Sequence, residues 1–568
     1  MRNGDTFRFS KRSATPLFLF RCMIPPGQCR MVPGPVFKKR DLAPFSGTVV
    51  ESEGAHVSRR LFIAITLFAL LWPATAPAQP ASARLTILHT NDTHGYLLPF
   101  SYPTVAPAGS EIGRLQQRRD IGGIARRAAL AQKIRTEQKG RGIPVWLVDI
   151  GDFSDGTPFS TEYKGEADVA AMNAAGYDFA TFGNHEFANP LAQVRNLLRL
   201  AKHPVLLANA VDRGTKAPLG EPWRIERVGA VRVGLFGLVT RETANYPAAR
   251  EGVDILDEIA TARRIVDTLR KQADIVVLLS HAGDGTDLKL AAEVPGIDVI
   301  IGGHSHSRMP LGQFVWRSDD LREDDVNGTV IVQAFERGAE LGRLDLLFQK
   351  DRSGAWRVSR YRARLIPITP DLPAEPMVAS VVDKYWKPIA ARYGEVVARA
   401  TGDFSTRGDD AAPFNLVADA VRETYQADAG FENSGGVRAP LAAGDISRAD
   451  LVTMDPFENT VVLFQATGSQ IKGLLTRYAP HVSGIRYRMV DGRLEEATIA
   501  GKPIEDGRTY RCVTNSYFAG FALAGLPHEN TGRRRIDVVT DYLKGKGAVT
   551  PAYDGRRVVI GRRGRNEE

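Results

Sequence analysis

The chain has 568 residues, of which 43% are hydrophobic, 24% charged and 8% aromatic. This length suggests about two to four domains, and this composition excludes a mostly disordered, collagenous or coiled-coil protein. Residues 1–78 hold 11 Lys and Arg against 4 Asp and Glu, which leaves 63 basic and 61 acidic residues in the rest of the chain. The excess positive charge therefore lies near the N-terminus, and the nearly neutral remainder gives no reason to expect nucleic-acid binding.

The N-terminal region has the pattern of an export signal. Ser58-Arg59-Arg60 precedes an apolar run, Leu61 to Trp72, and small residues such as Ala76-Pro77-Ala78 follow. The run of about 12 residues is shorter than the roughly 20 needed to cross a bilayer, so residues 1–83 are predicted to be an extension with a cleavable signal peptide. The two arginines resemble a twin-arginine signal, with a Sec signal or an uncleaved signal anchor as alternatives. We expect a periplasmic or secreted protein with no stable membrane span after cleavage.

Short β-rich runs alternate with amphipathic helical patterns from Arg84 onward, which predicts an α/β (α+β) fold. The predicted strands are Leu85–Thr90, Val145–Ile150, Phe179–Phe182, Val205–Ala208, Val231–Val239, Ile275–Ser280, Val299–Ile301 and Val330–Gln333, and the predicted helices include Ile124–Arg135, Ala188–Leu200 and Ile259–Gln272. Pro-rich sequence at 367–376 ends this unit, a helix is predicted from Met377 to about Tyr393, and a second α/β pattern runs from Val396 to about Ile560. We predict a first domain at 84–366, a linker helix at 367–394 and a smaller second domain at 395–562.

Polar clusters follow five of the predicted strands directly. They are Asp92-Thr93-His94, Gly151-Asp152, Gly183-Asn184-His185-Glu186, His281, and Gly302-Gly303-His304-Ser305-His306. Sites in open α/β sheets form beyond the carboxyl ends of the strands, so these clusters should converge on one edge. Imidazole nitrogen and hard oxygen ligands suit Mn, Fe, Zn or Co. Two divalent ions would have enough ligands, with Asp152 as the bridge, in Asp92, His94, Asp152, Asn184, His281, His304 and His306.

Each cluster also has an ordinary structural interpretation. An Asp-x-His after a strand is weak evidence for a metal site, and Gly-Asp is typical of any turn. Gly-Asn-His-Glu is more specific, since Asn and His at a strand end are poor choices for packing. The five clusters together, each at a strand end, favour a site over five unrelated turns, whereas His203, His481 and His528 have no such setting.

This order of motifs resembles the calcineurin-like metallophosphoesterases. The run Leu88-His89-Thr90-Asn91-Asp92-Thr93-His94-Gly95 is similar to the opening of the secreted 5′-nucleotidase and UDP-sugar hydrolase family. Three later segments resemble signatures of that family's C-terminal substrate domain: Asn415–Ala420, Asn433–Arg438 and Asp455–Thr460. The resemblance implies a β-sandwich catalytic domain flanked by helices, a linker helix and a second, smaller α/β substrate-binding domain.

The resemblance also implies residue roles. Asp92, His94, Asp152 and His306 would hold one divalent ion, and Asp152, Asn184, His281 and His304 the other. His185, beside Asn184, would be the catalytic histidine that stabilises charge on the transferring phosphoryl group. Arg438 and Arg407 would bind the substrate phosphate, since bidentate arginine suits that task. Phe457 would stack on the base with Asn459 beside it and Tyr517 as a second aromatic, although core packing is the alternative for both aromatic rings.

Two positions depart from the family pattern. Ala188 stands where the family often has an Asp three residues after the catalytic histidine, so His185 is expected to lack that acidic partner and to keep a pKa near or below its ordinary value. Phe521-Ala522-Leu523-Ala524 replaces a Gly-Gly-Asp-Gly segment, which removes an acidic group near the base. Hydrolysis is therefore better supported by the sequence than the nucleotide identity of the substrate.

The function implied by the resemblance is an exported dimetal phosphoesterase that hydrolyses nucleoside 5′-monophosphates by attack of a metal-bridging hydroxide, with UDP-sugars or cyclic nucleotides as further substrates. Two alternatives remain open. One is a periplasmic thiosulfohydrolase of the sulfur-oxidation system, against which Arg438, Phe457 and Asn459 speak. The other is a non-catalytic nucleotide-binding protein, against which the complete ligand set speaks.

Overall fold

The computed structural model describes residues 82–102, 111–115, 117–316, 328–406 and 408–561. The predicted extension and signal peptide lie outside the described residues, apart from Ser82 and Ala83. Within these ranges, no helix combines the length and the apolar character that a membrane crossing requires.

The first part of the chain contains the elements that carry the predicted polar clusters. Its strands are β1 Ser82–Thr90, β2 Pro99–Phe100, β3 Ile121–Gly122, β4 Val145–Asp149, β5 Phe179–Ala180, β6 Ala210–Asp212, β7 Arg224–Val228, β8 Val231–Val239, β9 Val253–Ile255, β10 Ile275–His281, β11 Val299–Gly302, β12 Gln313–Trp316, β13 Gly328–Val332, β14 Glu340–Lys350 and β15 Trp356–Pro367. Its helices are α1 Ile124–Lys139, α2 Pro158–Tyr163, α3 Glu166–Ala175, α4 Leu191–Leu200, α5 Pro247–Gly252, α6 Glu258–Leu269, α7 Asp284–Glu293 and α8 Pro376–Tyr393, with 3₁₀ turns at Ile112–Arg114, His185–Ala188 and Arg241–Asn245.

Two sheets pack face to face in this part. One has the order β15-β14-β1-β4-β5 and the other β12-β13-β11-β10-β8-β7. Apolar side chains from both sheets, including Leu85, Ile87, Val277 and Leu279, form the core between them. Two further apolar clusters join the outer faces of the sheets to the helices. The predicted β-sandwich flanked by helices is therefore confirmed.

Parallel pairing sets where the site forms. Strand β1 runs parallel to β4, and β4 runs parallel to β5. In the second sheet, β10 is parallel to both β8 and β11. The carboxyl ends of β1, β4, β5, β10 and β11 each lead into one of the five polar clusters, as the strand-end argument requires.

Val205–Ala208, expected as a strand, is a buried connecting segment instead. Val205 bridges Ala180 and Leu206 bridges Glu221, but each is an isolated pair. The Ala208 amide then donates to the carbonyl oxygen of Gly237 at 2.8 Å. Because successive residues pair with different neighbours, no ladder forms, and the apolar sequence reflects burial on both sides of the segment: Leu206 joins the core between the sheets, whereas Val205 and Leu207 join a cluster on the helix side.

A proline sets the start of α4, which the sequence placed at Ala188. The helix begins at Leu191 because Pro190 stands directly before it, and residues His185–Ala188 form a separate 3₁₀ turn. Proline tolerates the first turn of a helix but cannot supply an amide within it. The polar Asn184-His185 pair is consequently carried on a short turn rather than on the long helix.

The second part of the chain forms a smaller α/β unit. Its strands are β16 Val396–Ala400, β17 Ala429–Glu432, β18 Gly444–Ser447, β19 Thr460–Thr467, β20 His481–Ser483, β21 Ile485–Val490, β22 Arg493–Ile499, β23 Lys502–Pro503, β24 Thr509–Asn515, β25 His528–Arg534, β26 Ala548–Val549 and β27 Arg557–Ile560. Its helices are α9 Ala412–Thr424, α10 Arg448–Met454, α11 Gly468–Tyr478, α12 Ser516–Ala522 and α13 Arg535–Lys546. The largest sheet has the order β20-β17-β24-β19-β25, and separate apolar clusters form the cores.

Candidate metal centre

The strand-end residues form three overlapping groups whose potential ligand atoms lie within 4.8 Å of one another. The groups are Asp92 with His94 and His306, His94 with Asp152 and His185, and Asp152 with His281 and His304. Among the residues of the sequence-based ligand set, only Asn184 falls outside these carboxylate and imidazole groups, and its side-chain oxygen lies 3.2 Å from His281 Nε2. The structure therefore brings together the residues that the strand-end motifs pointed to.

Five of these residues have a left-handed backbone. The φ angles are 51° for Asp92, 46° for His94, 51° for Asp152, 73° for His304 and 53° for His306. Residues other than glycine adopt positive φ rarely, and such conformations cost energy that the surrounding structure must compensate. Their concentration here shows that the loops are shaped to aim side chains inward.

Oxygen and nitrogen acceptors face one another in the first group. His94 Nδ1 lies 3.3 Å from the Ser154 carbonyl oxygen, and His306 Nδ1 lies 2.7 Å from the Glu336 carboxylate. Those oxygens accept, so each Nδ1 carries the proton and each Nε2 presents a lone pair in the neutral ring. The two Nε2 atoms are 3.2 Å apart, and His306 Nε2 is 3.3 Å from an Asp92 oxygen.

The second group repeats this arrangement. His281 Nδ1 donates to the carbonyl oxygen of Ile150 at 2.7 Å, which leaves Nε2 as the acceptor in the neutral ring. That Nε2 is 3.1 Å from an Asp152 oxygen and 3.2 Å from the Asn184 side-chain oxygen. The Asn184 amide nitrogen donates to the Tyr246 hydroxyl at 2.7 Å, which fixes the oxygen toward His281.

Facing acceptors repel one another unless a proton or a cation lies between them. Although burial lowers the pKa of both histidines, the Asp152 carboxylate raises the pKa of His281 to about 10, and the Asp92 carboxylate raises that of His306 to about 9. A divalent ion supplies the same compensation and replaces the proton. Ring nitrogens anchored through Nδ1 are the usual arrangement of metal-binding histidines. The donor set therefore fits divalent metal ions.

Glu186 fastens the loops that carry these ligands. It is fully buried, and its carboxylate accepts from the amides of Asp152 at 2.9 Å, Ser154 at 3.1 Å and Gly183 at 2.7 Å. One side chain thereby fixes the loop after β4 to the loop after β5. The sequence placed Glu186 within a polar cluster but assigned it no role.

His185 has a carboxylate partner, contrary to the expectation drawn from Ala188. Its Nδ1 lies 2.6 Å from an Asp155 oxygen. Burial by itself lowers the pKa of His185, but Asp152 and Asp155 outweigh it and raise that pKa above its ordinary value. The expectation that His185 lacks an acidic partner is wrong because the carboxylate comes from the loop after β4, which local spacing around His185 does not reveal.

Arg438 reaches the metal-capable groups from the second part of the chain. It lines one cavity of about 750 Å³ together with Asp152, Asn184 and His185. Its carbonyl oxygen accepts from the Arg337 guanidinium at 2.7 Å, and the Arg337 amide donates to the Asp92 carbonyl oxygen at 2.7 Å. The sequence did not single out Arg337 or Glu336. Both residues follow the predicted strand Val330–Gln333 closely, so the expectation that sites form at strand ends could have identified them.

A buried arginine holds the loops around Arg438. Arg535 is fully buried, and its guanidinium donates to both Asp455 oxygens at 2.6 and 2.8 Å and to the Gly436 carbonyl oxygen at 2.8 Å. It also donates to Glu432. These contacts join the Asn433–Arg438 and Asp455–Thr460 segments. No sequence pattern distinguished Arg535 within the run Arg533-Arg534-Arg535.

The residues expected to bind the base do not line this cavity. Phe457 is half-buried and belongs to none of the apolar core clusters among the described residues, and Tyr517 is 62% exposed. The Asn459 side-chain oxygen accepts from Ser516 at 3.2 Å, so the Phe457 loop lies beside the start of α12, where Tyr517 stands. The alternative interpretation of Tyr517 as a core residue is wrong, because its side chain is exposed. Arg407, the second predicted phosphate ligand, lies outside the described residues.

Two family models match this chain. The calcineurin-like phosphoesterase model covers residues 85–308, and the 5′-nucleotidase C-terminal domain model covers residues 396–524. The first range contains all seven predicted ligands, and the second contains Arg438, Phe457, Asn459 and Tyr517.

Curated relatives match over most of their length. A 5′-nucleotidase of Vibrio cholerae is 28% identical over 540 residues, which cover 84% of this chain and 94% of the relative. Protein UshA of Escherichia coli is 27% identical over 531 residues, covering 83% of this chain and 92% of the relative.

Solved structures share the fold. A 5′-nucleotidase precursor from Thermus thermophilus aligns with a TM-score of 0.73 at 27% identity, covering 84% of this chain and all of that one. The sulfate thiohydrolase SoxB of the same species aligns with a TM-score of 0.71 at 24% identity, covering 86% of this chain and 99% of that one. At this identity, the second likeness is one of fold alone.

Replacing Arg535 tests the role of the buried clamp. Arg535→Met leaves Glu432 and Asp455 buried without their partner, so the free energy of unfolding should fall by about 3–5 kcal/mol. Arg534→Met is the matched control, because Arg534 is 45% exposed and its pair with Asp537 contributes at most about 1 kcal/mol. Urea unfolding of both variants measures the difference. Equal losses in the free energy of unfolding would show that the buried Arg535 contributes no more to stability than the exposed Arg534.

Proposed function

We propose that this chain, which belongs to the family that joins a calcineurin-like phosphoesterase domain to a 5′-nucleotidase C-terminal domain, is a metal-dependent phosphoesterase that hydrolyses nucleoside 5′-monophosphates. One observation carries the proposal: Arg438, a phosphate-binding type of residue, lines the same cavity as Asp152, Asn184 and His185. The relatives named 5′-nucleotidase support a nucleotide substrate. The domain boundaries we propose are 84–366, 367–394 and 395–562.

Two divalent ions are the proposed cofactor. The residues assigned to one ion are Asp92, His94, Asp152 and His306, and those assigned to the other are Asp152, Asn184, His281 and His304. Asp152 is the shared ligand because it belongs to both a His94 group and a His281 group. Nitrogen and oxygen donors of this kind suit Mn, Zn, Co or Fe. Bound divalent ions supply a water of near-neutral pKa and neutralise charge on phosphoryl oxygens.

His185 and Arg438 are the proposed groups that meet the phosphoryl group itself. His185 Nδ1 is taken by Asp155, so Nε2 is the nitrogen left to donate to a phosphoryl oxygen. Asp155 stabilises the protonated ring and fixes its orientation, which is the task that a carboxylate performs beside a working histidine. The Arg438 guanidinium suits bidentate contact with phosphate oxygens. Asn184 is assigned to the second ion and directly precedes His185 in sequence, so one short turn carries both a proposed metal ligand and the proposed catalytic histidine.

The second part of the chain is the proposed source of the base contacts. Phe457 would stack on the base, with Asn459 beside it, Tyr517 as a second ring, and Arg407 as a further phosphate ligand. The half-buried ring of Phe457 and the exposed ring of Tyr517 are both accessible to a ligand. Phe521, which replaces a family glycine segment, packs against Tyr517 with ring centroids 5.5 Å apart. UDP-sugars and cyclic nucleotides remain within the proposed substrate range.

Export is the proposed fate of the chain. The support is the sequence pattern of residues 1–83, in which arginines precede a short apolar run and small residues. We expect nucleotidase activity in the periplasmic or culture fraction, carried by a protein whose N-terminus lies near residue 79. Activity confined to the cytoplasm, on a chain with an intact N-terminus, would contradict export; cell fractionation and N-terminal sequencing measure both.

Phosphate release from a substrate panel tests the activity. With Mn²⁺, we expect turnover of AMP above that of ribose 5-phosphate, and loss of both after chelation, because the ions supply the reacting water. UDP-glucose and cyclic AMP define the substrate range. Turnover of a cysteine S-sulfonate with none of AMP would favour the thiosulfohydrolase alternative, and nucleotide binding without any turnover would favour the binding protein.

Two variants sharpen this panel. Asp152→Ala should abolish turnover and lower the metal content, whereas Asp445→Ala removes an exposed carboxylate and should change neither.

Phe457→Ala should raise KM for AMP about 10–100-fold, because base stacking is worth about 1–3 kcal/mol, and should leave KM for ribose 5-phosphate unchanged. Equal losses on both substrates would show that Phe457 does not contact the base.

Removing the Asp155 carboxylate tests whether it supports His185. Asp155→Ala should lower kcat about 10–100-fold, the usual effect of removing a supporting hydrogen bond at such a site. Because Asp155 raises the pKa of His185, its loss lets the ring deprotonate at a lower pH, and the alkaline limb of the kcat/KM profile should move downward. Kinetics measured across pH give both quantities.

Ala188→Asp in the Asp155→Ala background is the matched rescue. Residues three apart in a 3₁₀ turn lie on the same face, so position 188 can present a carboxylate on the side of His185. The double variant should recover part of kcat and shift the alkaline limb back upward. Full activity of Asp155→Ala, or an unmoved profile, would contradict a role for this carboxylate.

A further inference from the structure

A second cavity lies on the outer face of the β15-β14-β1 sheet, away from the candidate metal centre. It encloses about 550 Å³ and is lined by six arginines but only two carboxylates. The arginines are Arg84, Arg141, Arg343, Arg360, Arg362 and Arg364, and the carboxylates are Glu137 and Asp345. We call this set the arginine groove.

Strand register places five of the six arginines, all except Arg141, on one face of the sheet. Arg343 of β14 is opposite Arg364 of β15, and Leu347 is opposite Arg360. On the other side of β14, Leu347 is opposite Arg84 of β1. Directly opposite residues point to the same face of a sheet, and like charges in such pairs are destabilising. The alternate residues, such as Leu344 and Ala363, face the apolar core between the sheets. The arginines on these strands therefore point to the outer face of the sheet.

The charge in the groove is largely uncompensated. Asp345 accepts from the Arg343 Nε at 2.9 Å and from the Thr86 hydroxyl at 2.7 Å. The side chains of the other five groove arginines form no ion pair within the described ranges. The Nε of Arg364 is buried and has no hydrogen-bond partner there. Burial and the neighbouring charges of Arg343 and Arg362 lower the pKa of Arg364.

We propose that the arginine groove binds an anion that carries two or more phosphoryl groups close together. Several converging guanidinium groups match clustered phosphates, which accept bidentate hydrogen bonds from each. Binding would relieve the repulsion between opposed arginines and give the buried Arg364 Nε a partner. Residues 1–78 are no complementary occupant, since they are themselves basic.

Calorimetric titration with methylenediphosphonate tests this site. The probe carries two phosphonate groups and resists hydrolysis, and the intact protein is titrated with its metal ions bound. Arg360→Ser/Arg362→Ser removes two exposed groove arginines and leaves the metal centre unchanged, so its binding deficit reports on the groove alone. We expect an affinity loss of about tenfold or more, since the variant loses charge-assisted hydrogen bonds to the phosphonate oxygens. The kcat/KM for AMP should stay unchanged.

Arg227→Ser/Arg493→Ser is the matched control, because it removes the same charge from exposed strand positions elsewhere. Equal binding by the wild type and the groove variant, or equal losses in the groove and control variants, would overturn the proposal.

A second arm distinguishes the source of the phosphates. Co-sedimentation with phosphatidylcholine vesicles, with and without cardiolipin, which carries two phosphates in one headgroup, tests whether a lipid headgroup is the ligand. Groove-dependent binding of both the anionic vesicles and the diphosphonate supports a membrane-surface ligand. Groove-dependent diphosphonate binding alone supports a free polyphosphate-type anion. Absence of groove-dependent diphosphonate binding overturns the proposal, whatever the vesicles show.

Discussion

Hydrogen-bond acceptor atoms crowd together at the candidate metal centre, and the surrounding structure holds them there. His94 Nε2 and His306 Nε2 lie 3.2 Å apart beside an Asp92 oxygen, and His281 Nε2 faces Asp152 and Asn184 at 3.1 and 3.2 Å. Nothing in this arrangement attracts these atoms to one another without a positive charge among them. The left-handed backbone at Asp92, Asp152 and three histidines, and the buried Glu186 clamp, serve to hold the acceptors in place against that repulsion.

The two parts of the chain meet beside these acceptor atoms. Arg438 lines the cavity of the metal-capable residues, and its backbone is held from both sides. Arg337 contacts its carbonyl oxygen from the first part, while Arg535 secures the neighbouring Gly436 within the second. A guanidinium beside the candidate metal centre would bring the proposed phosphate-binding group to the proposed reacting centre, and orientation of this kind accounts for much of what enzymes contribute.

Local patterns sufficed to predict which carboxylate and imidazole residues converge, but not the residues that hold them in place. Asp92, Asp152 and His281 each follow a strand, and the sequence shows strands through apolar runs, so their convergence could be derived from the fold class. Asp155, Glu336 and Arg535 act across loops that are distant in sequence, and no local spacing shows which loops will meet. The same reason made Ala188 misleading: the missing carboxylate is supplied by Asp155, from another strand end. The prediction of a strand at Val205–Ala208 is wrong because a buried connecting segment and a buried strand have the same kind of apolar sequence.

Anomalous X-ray scattering from crystals grown with Mn²⁺ locates the ions directly, rather than inferring them from activity. We expect two manganese peaks a few ångströms apart, one among Asp92, His94 and His306 and the other among Asn184, His281 and His304, with Asp152 contacting both. A single peak, or peaks that Asp152 does not bridge, would contradict the two-ion centre. Ordered side chains in the same positions without any manganese peak would contradict a metal site altogether.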